Sequence, residues 1–218
     1  MTAAVFALMR KDLSLEWRNK SAFTGVLLYL VSTVFICYLS FDGLVPVHTW
    51  NALFWVILLF ASLNAVLKGF LQEGERRIPY YYTLASPAAV MMARIVYNAF
   101  LMGLLALSGW GMYTAVMGNP VQNQGLFLLN LILGAGALSA ALSMVSAIAS
   151  RARNPFTLMG VLGFPVVLPL LLVVIRISAS SIQGASLAAQ WGNLLVLLLL
   201  AGISVVLANL LFPYIWRE

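Results

Sequence analysis

Long apolar runs, separated by short charged or turn-forming segments, set the pattern of this chain. Residues 1–20 are too charged to cross a bilayer. At 100° per residue, Phe6, Met9, Leu13 and Trp17 form one stripe, with Lys11, Ser14 and Arg18 roughly opposite. That pattern predicts an amphipathic helix over residues 2–19, lying in the plane of the membrane interface. Residues 21–41 contain no charged side chain; at 1.5 Å per residue they cover roughly 30 Å, enough for the hydrocarbon core. Asp42-Gly43 closes this first span. Further spans are predicted at about 48–67, 95–117, 125–150, 156–175 and 191–214. Trp50 and Trp55 suit the interfacial region near one end of the second.

Local signals refine this outline. Ser86-Pro87 reads as a helix cap and restart ahead of the third span. Gly118-Asn119-Pro120 gives a tight exit from it, because Asn and Gly favour turns and Pro cannot continue a helix. In the fourth span Gly136, Ala140, Ser143 and Ala147 share one face, with Gly134, Ala137 and Ala141 close by. Such a small-residue face predicts close packing against a neighbouring helix. Asn154 is placed to cap the fifth span and Pro155 to occupy its first position. Pro165 and Pro169 within that span each remove a backbone donor, so a kinked or broken helix is expected. The freed carbonyls then need a neighbour or a cavity. Residues 176–190 are too polar to span and have room for a short interfacial helix.

Composition changes the class of protein under consideration. Of the 218 residues, 63% are hydrophobic and 8% charged, against roughly 45–50% and 25% in a soluble domain. This is an integral membrane protein. The net charge of +6 therefore points to topology rather than to nucleic acid. Arg10, Lys11, Arg18, Lys20, Lys68, Arg76, Arg77, Arg94, Arg151, Arg153 and Arg217 fall on one face of a six-span chain, and Arg176 alone falls on the other. The positive-inside rule puts the eleven, and both termini, in the cytoplasm. The N-terminus does not resemble a cleaved signal peptide, since Asp12 and Glu16 interrupt it. Cys37, the single cysteine, offers no disulfide, zinc or haem-attachment motif.

No phosphate-binding loop, zinc-protease or nucleophile-elbow motif occurs, and no catalytic or metal-binding residues are expected. Asp, Glu, Lys and Arg are missing from the mid-membrane segments, which argues against ion-coupled transport. Work done by this protein must draw its energy from another subunit. The segment 68–94 is the one charged island between long spans. Within it, Glu73, Glu75, Arg76 and Arg77 adjoin Tyr80, Tyr81 and Tyr82. Tyr and Arg are enriched where proteins meet, so these seven form a candidate docking site for a cytoplasmic ATPase; headgroup-level tyrosines in a lipid-facing loop are the alternative. His48, the lone histidine, reads as a surface residue, with haem ligation as the sharper alternative. Asp42, His48 and Trp50, joined by Tyr38 and Asn51, form a candidate polar outer rim. Asn64, Asn98, Asn130 and Asn209 are expected to make interhelical hydrogen bonds.

Several stretches carry a family resemblance: LEWR at 15–18, LFWVILLFASLNAVLKGFLQE at 53–73, TLASP at 83–87 and GFPVVLP at 163–169. Together they resemble the haem exporter protein B family, CcmB, the membrane subunit of cytochrome c maturation, over essentially the whole chain. The resemblance implies a six-span, all-α fold like that of type 2 ABC exporter membrane subunits, with an N-terminal amphipathic helix. It also implies a cytoplasmic coupling segment at 73–87. Its implied partners are a cytoplasmic ATPase, a haem-handling membrane protein and a small single-span subunit, beside membrane lipids. Haem is then the handled ligand, not a resident cofactor. One departure stands out. Many members place a glycine and then an acidic residue ahead of the Leu-Leu-Ser-Pro element, where this chain has Ile78-Pro-Tyr-Tyr-Tyr82.

The expectation is a single all-α transmembrane domain over 1–218 in the bacterial inner membrane. Its function would be to couple a separate ATPase to haem export, or to release of a haem-loaded periplasmic chaperone. A type 2 ABC permease for a drug, lipid or polysaccharide shares the same architecture. A non-transporting scaffold of the haem-handling complex is the other alternative.

Overall fold

In hydrocarbon every backbone N–H and C=O must be satisfied within the protein, so apolar runs of this length become helices. The computed structural model describes residues 21–41, 45–72, 86–149 and 154–217, and within them the chain is all helix and connecting turn. Six helices follow in order: α1 Ser21–Ser40, α2 Val47–Gln72, α3 Pro87–Met117, α4 Gln124–Ala149, α5 Pro155–Ile182 and α6 Trp191–Arg217. A 3₁₀ turn, Ala188–Gln190, leads into α6. Five of these helices are long and apolar enough to cross a membrane, and α1 adds the shorter apolar stretch Thr24–Ser40. The architecture is that of a polytopic membrane protein. The amphipathic segment 2–19 lies outside the described residues.

Caps decide where several helices begin. Ser86 opens α3 in extended geometry, and its hydroxyl accepts from the Ala89 N–H at 3.4 Å, with Pro87 in the first turn. The helix therefore starts eight residues ahead of the apolar run that predicts it. Its 31 residues make a rod of about 46 Å, longer than the roughly 30 Å hydrocarbon core. At α4, the Asn123 side-chain oxygen accepts from the Leu126 N–H at 3.1 Å. Asn154 also holds a cap position, but its side chain makes no cap bond; its backbone carbonyl accepts from Leu158 instead.

α5 runs unbroken through Pro165 and Pro169, so the prolines do not end it, and it continues past Arg176 to Ile182, beyond the apolar run that predicts it. The extra turns form because Ile177, Ser178, Ser181 and Ile182 all bury themselves against the bundle. Arg176 points outward from the same turns, where a long cationic side chain can reach the headgroups.

α4 lies at the centre, with α2, α3, α5 and α6 all packed on it. Its spanning window is 78% buried, against 22% for α6. The small side chains of Gly134, Ala135, Ala137, Ser139, Ala140, Ala141 and Ser143 allow four neighbours to approach one backbone. Helices in lipid gain nothing from apolar burial as such, so this close van der Waals packing supplies the association. Ala140 is buried as expected. Gly136 is not the contact glycine: a Cβ there would meet nothing within 4 Å. Gly134 holds that role, since a Cβ on it would lie 3.0 Å from both the Trp55 ring and Val174.

Candidate functional site

The loops 118–123 and 183–190 and the start of α2 gather at one end of the bundle, called here the distal end. The opposite, proximal end carries the chain out of α2 at Gln72 and back into α3 at Ser86. Glu73, Glu75, Arg76, Arg77, Tyr80, Tyr81 and Tyr82 all lie between those points, outside the described residues. What the structure provides is the pair of helices that bear them. α2 and α3 pack together and run without interruption from this segment to the distal end.

There the two helices enter a cluster that the apolar pattern does not reveal. Trp50, expected at the rim, is 1% exposed, and Trp55 is fully buried. Trp50 packs on Tyr113 of α3 at 4.9 Å between ring centroids and on Phe127 of α4 at 6.2 Å. Phe54 touches the same Tyr113 and Phe127 rings at 5.5 and 5.8 Å. Tilted and edge-on contacts of this kind set the negative face of one ring against the positive edge of another. The polar handles are also used: Tyr113 donates to the Trp50 carbonyl at 3.1 Å, and the Trp50 indole donates to the Gly118 carbonyl at 3.2 Å. Trp50 therefore ties the start of α2 to the end of α3.

Beside the rings runs a chain of hydrogen bonds. The Trp55 indole donates to Ser178 Oγ at 3.0 Å, and Ser178 donates to Asn51 Oδ1 at 2.6 Å. Asn51 Nδ2 then donates to the Ile175 carbonyl at 3.0 Å. From α4, Asn130 Nδ2 reaches the adjacent Val174 carbonyl at 2.9 Å. Two carbonyls of α5 thus receive amide donors from two different helices, which clamps α5 between α2 and α4. Carbonyl oxygens have a second lone pair, so these bonds need not displace the helical ones. Asn130 Oδ1 and Trp110 Nε1 are the buried side-chain polar atoms left unpaired among the described residues.

The distal loops close over this arrangement. Asn119 accepts from the Val121 N–H at 3.0 Å, turning the chain after Gly118, whose φ is +77°. Asn123 N–H donates to the Ser181 carbonyl at 3.0 Å, and its Nδ2 donates to the Ala185 carbonyl at 2.8 Å. One residue therefore caps α4 and fastens it to the end of α5. His48 is exposed in the first turn of α2. Asp42 lies outside the described residues; of the other expected rim residues Tyr38 and His48 are exposed, while Trp50 and Asn51 turn inward.

Nearer the proximal end a second polar tier joins α3 to α4. Asn98 donates to Ser143 Oγ at 2.8 Å, and Ser139 donates to the Ile95 carbonyl at 3.1 Å. Asn209 links α6 to Met92 Sδ at 3.2 Å. Asn64 bonds back on its own helix, to the Phe60 carbonyl, and Asn209 likewise also donates to the Val205 carbonyl of α6. Among the described residues no cluster of His, Cys, Asp or Glu could hold a metal ion. Hydrogen bonds and ring packing at this site fix the helices relative to one another.

No curated protein matches the chain. The family model described as CcmB protein matches residues 3–215. Members of that family are non-catalytic permease subunits with a role in haem handling during cytochrome c maturation, in multi-pass inner-membrane proteins. With nearly its full length matched, the chain belongs to the CcmB family.

Proposed function

We propose that this chain couples a cytoplasmic ATPase, docked on residues 73–82, to release of a haem-loaded chaperone on the opposite side of the membrane. The bias of basic residues orients the docking segment and both termini toward the cytoplasm. A haem-handling membrane protein and a small single-span subunit complete the assembly. The observation that carries the reading is the continuity of α2 and α3 from the docking segment to the packed distal cluster. A push on the segment moves two rods whose far ends are bonded to α4 and α5, so motion is delivered as a rigid-body shift. The same cluster fills the distal half of the bundle with Trp50, Phe54, Tyr113 and Phe127, which favours relay of work over passage of haem between these helices.

The docking half is tested by Tyr81→Asp combined with Arg77→Glu. Co-purification of the ATPase should fall while membrane insertion is retained; undiminished ATPase recovery would overturn the assignment. The relay half is tested in a strain lacking the protein. Haem should still reach the periplasm, with the loaded chaperone held on the membrane; absence of periplasmic haem would favour export through this subunit.

A further inference from the structure

α5 is held unevenly along its length. Among the described residues, its hydrogen bonds to the rest of the bundle all fall at or beyond Val174. The Val174 and Ile175 carbonyls accept from Asn130 and Asn51, Ser178 bonds to Trp55 and Asn51, and the Ser181 carbonyl accepts from the Asn123 N–H. These partners come from α2, α4 and the loop ahead of α4, so the last turns of α5 are fixed in rotation and in depth. Nearer the proximal end the contacts have no direction. Met159 and Val167 bury apolar side chains there, and a Cβ on Gly163 would meet only Val145, at 3.7 Å.

The backbone is weakest between the loosely held stretch and the clamped one. Pro165 cannot donate to the Val161 carbonyl, and Pro169, one turn on, cannot donate to that of Pro165. No side chain among the described residues donates to either carbonyl in their place. Two rungs of the helical ladder are thus missing on one side of the rod, and helices bend where that ladder is interrupted. α4, packed by four neighbours, carries no proline. The arm of α5 from Pro155 to Pro165 is about 15 Å long, so a bend of about 20° carries its end roughly 5 Å.

We infer that α5 is hinged at residues 161–169. The distal segment from Leu170 to Ile182 stays fixed to α2 and α4, and the proximal arm swings about it. The hinge lets the proximal ends of the helices shift relative to one another without breaking the bonds among Asn51, Trp55 and Ser178 at the far end. A stiff helix of the same length would carry any displacement of its proximal end straight into that clamp. Hinges of this kind absorb motion at a few backbone positions while the packed elements on either side keep their shape. The hinge belongs to this chain alone and holds whether or not an ATPase docks on residues 73–82.

The test uses the full-length chain in lipid nanodiscs, carrying Cys37→Ala and pairs of spin labels. Thr157→Cys on the arm is paired with Val96→Cys on α3, and Gln183→Cys with Ala115→Cys reports on the distal end; all four sites are exposed. The distance distribution of the arm pair should spread about 4 Å more widely than that of the distal pair, as a 20° bend requires at the depth of Thr157. Pro165→Ala combined with Pro169→Ala restores both backbone donors; it should remove that excess and leave the distal pair unchanged. A second readout needs no substitution: amide exchange in the unaltered chain should be faster over residues 162–168 than over 174–182. Equal widths for the two pairs, an excess that survives the double substitution, or equal protection of the two stretches would each overturn the hinge.

Discussion

Ser178 donates to Asn51 at 2.6 Å, and this bond joins α2 and α5 across the buried interior of the bundle. Ser178 also accepts from Trp55, and Asn51 also donates to the Ile175 carbonyl. Each of the two residues is therefore donor and acceptor at once, and neither can be removed without stranding a group that has no water to turn to.

We predict that Ser178→Ala lowers stability in detergent by about 1–3 kcal/mol, because Trp55 Nε1 and Asn51 Oδ1 both lose their partner. Asn51→Ala should cost a similar amount. The double variant should lose clearly less than the sum, since the two act in one network. Thermal unfolding of the purified protein measures all three; strict additivity would contradict the network.

Two glycines of α4 should behave oppositely. Gly134→Ala places a methyl 3.0 Å from the Trp55 ring and from Val174, so overpacking of about 1–3 kcal/mol is expected. Gly136→Ala meets nothing within 4 Å and should be neutral, or stabilising by up to about 1 kcal/mol through helix propensity. The comparison needs only the midpoints of two melting curves.

At the distal loops, Asn123→Ala removes both the cap on Leu126 and the bond to Ala185. A loss of about 1–2 kcal/mol follows from the cap alone. Hydrogen exchange should rise in the first turn of α4 and in residues 183–187, while the amides around Asn98 and Ser143 keep their protection. Uniform loosening of the whole bundle would contradict a local fastening.

Gly184 carries a φ of +78°, and a Cβ there would lie 2.7 Å from Gln122 Oε1. The Gln122 side chain is flexible, so the strain to be expected in Gly184→Ala is mainly that of the left-handed backbone, about 1–2 kcal/mol. Combining it with Gln122→Ala should recover only the smaller steric part. Full recovery in the double variant would show the backbone cost to be absent.

Much of this architecture was legible in the chain. Apolar runs long enough for a bilayer must become helices, because no other open structure satisfies its backbone in lipid. Turn and cap signals at Ser86, Gly118 and Asn119 depend on their immediate neighbours, so they too were readable from sequence, as was the small-residue character of α4. The family resemblance rested on contiguous motifs of the same local kind.

Partner choice across the bundle was not readable in that way. Trp50 and Trp55 have the composition of interfacial anchors, yet both are buried, because α3, α4 and α5 supply carbonyls, a hydroxyl and rings at their level. Gly134 and Gly136 are equivalent on a list of small residues; only the position of Trp55 on another helix separates them. α5 outran its apolar segment because Ser178 and Ser181 found partners inside. Local chemistry determines which segments cross the membrane and where they turn. Which polar groups meet between them is decided by helix rotation and depth, and those are set only when all six helices pack at once.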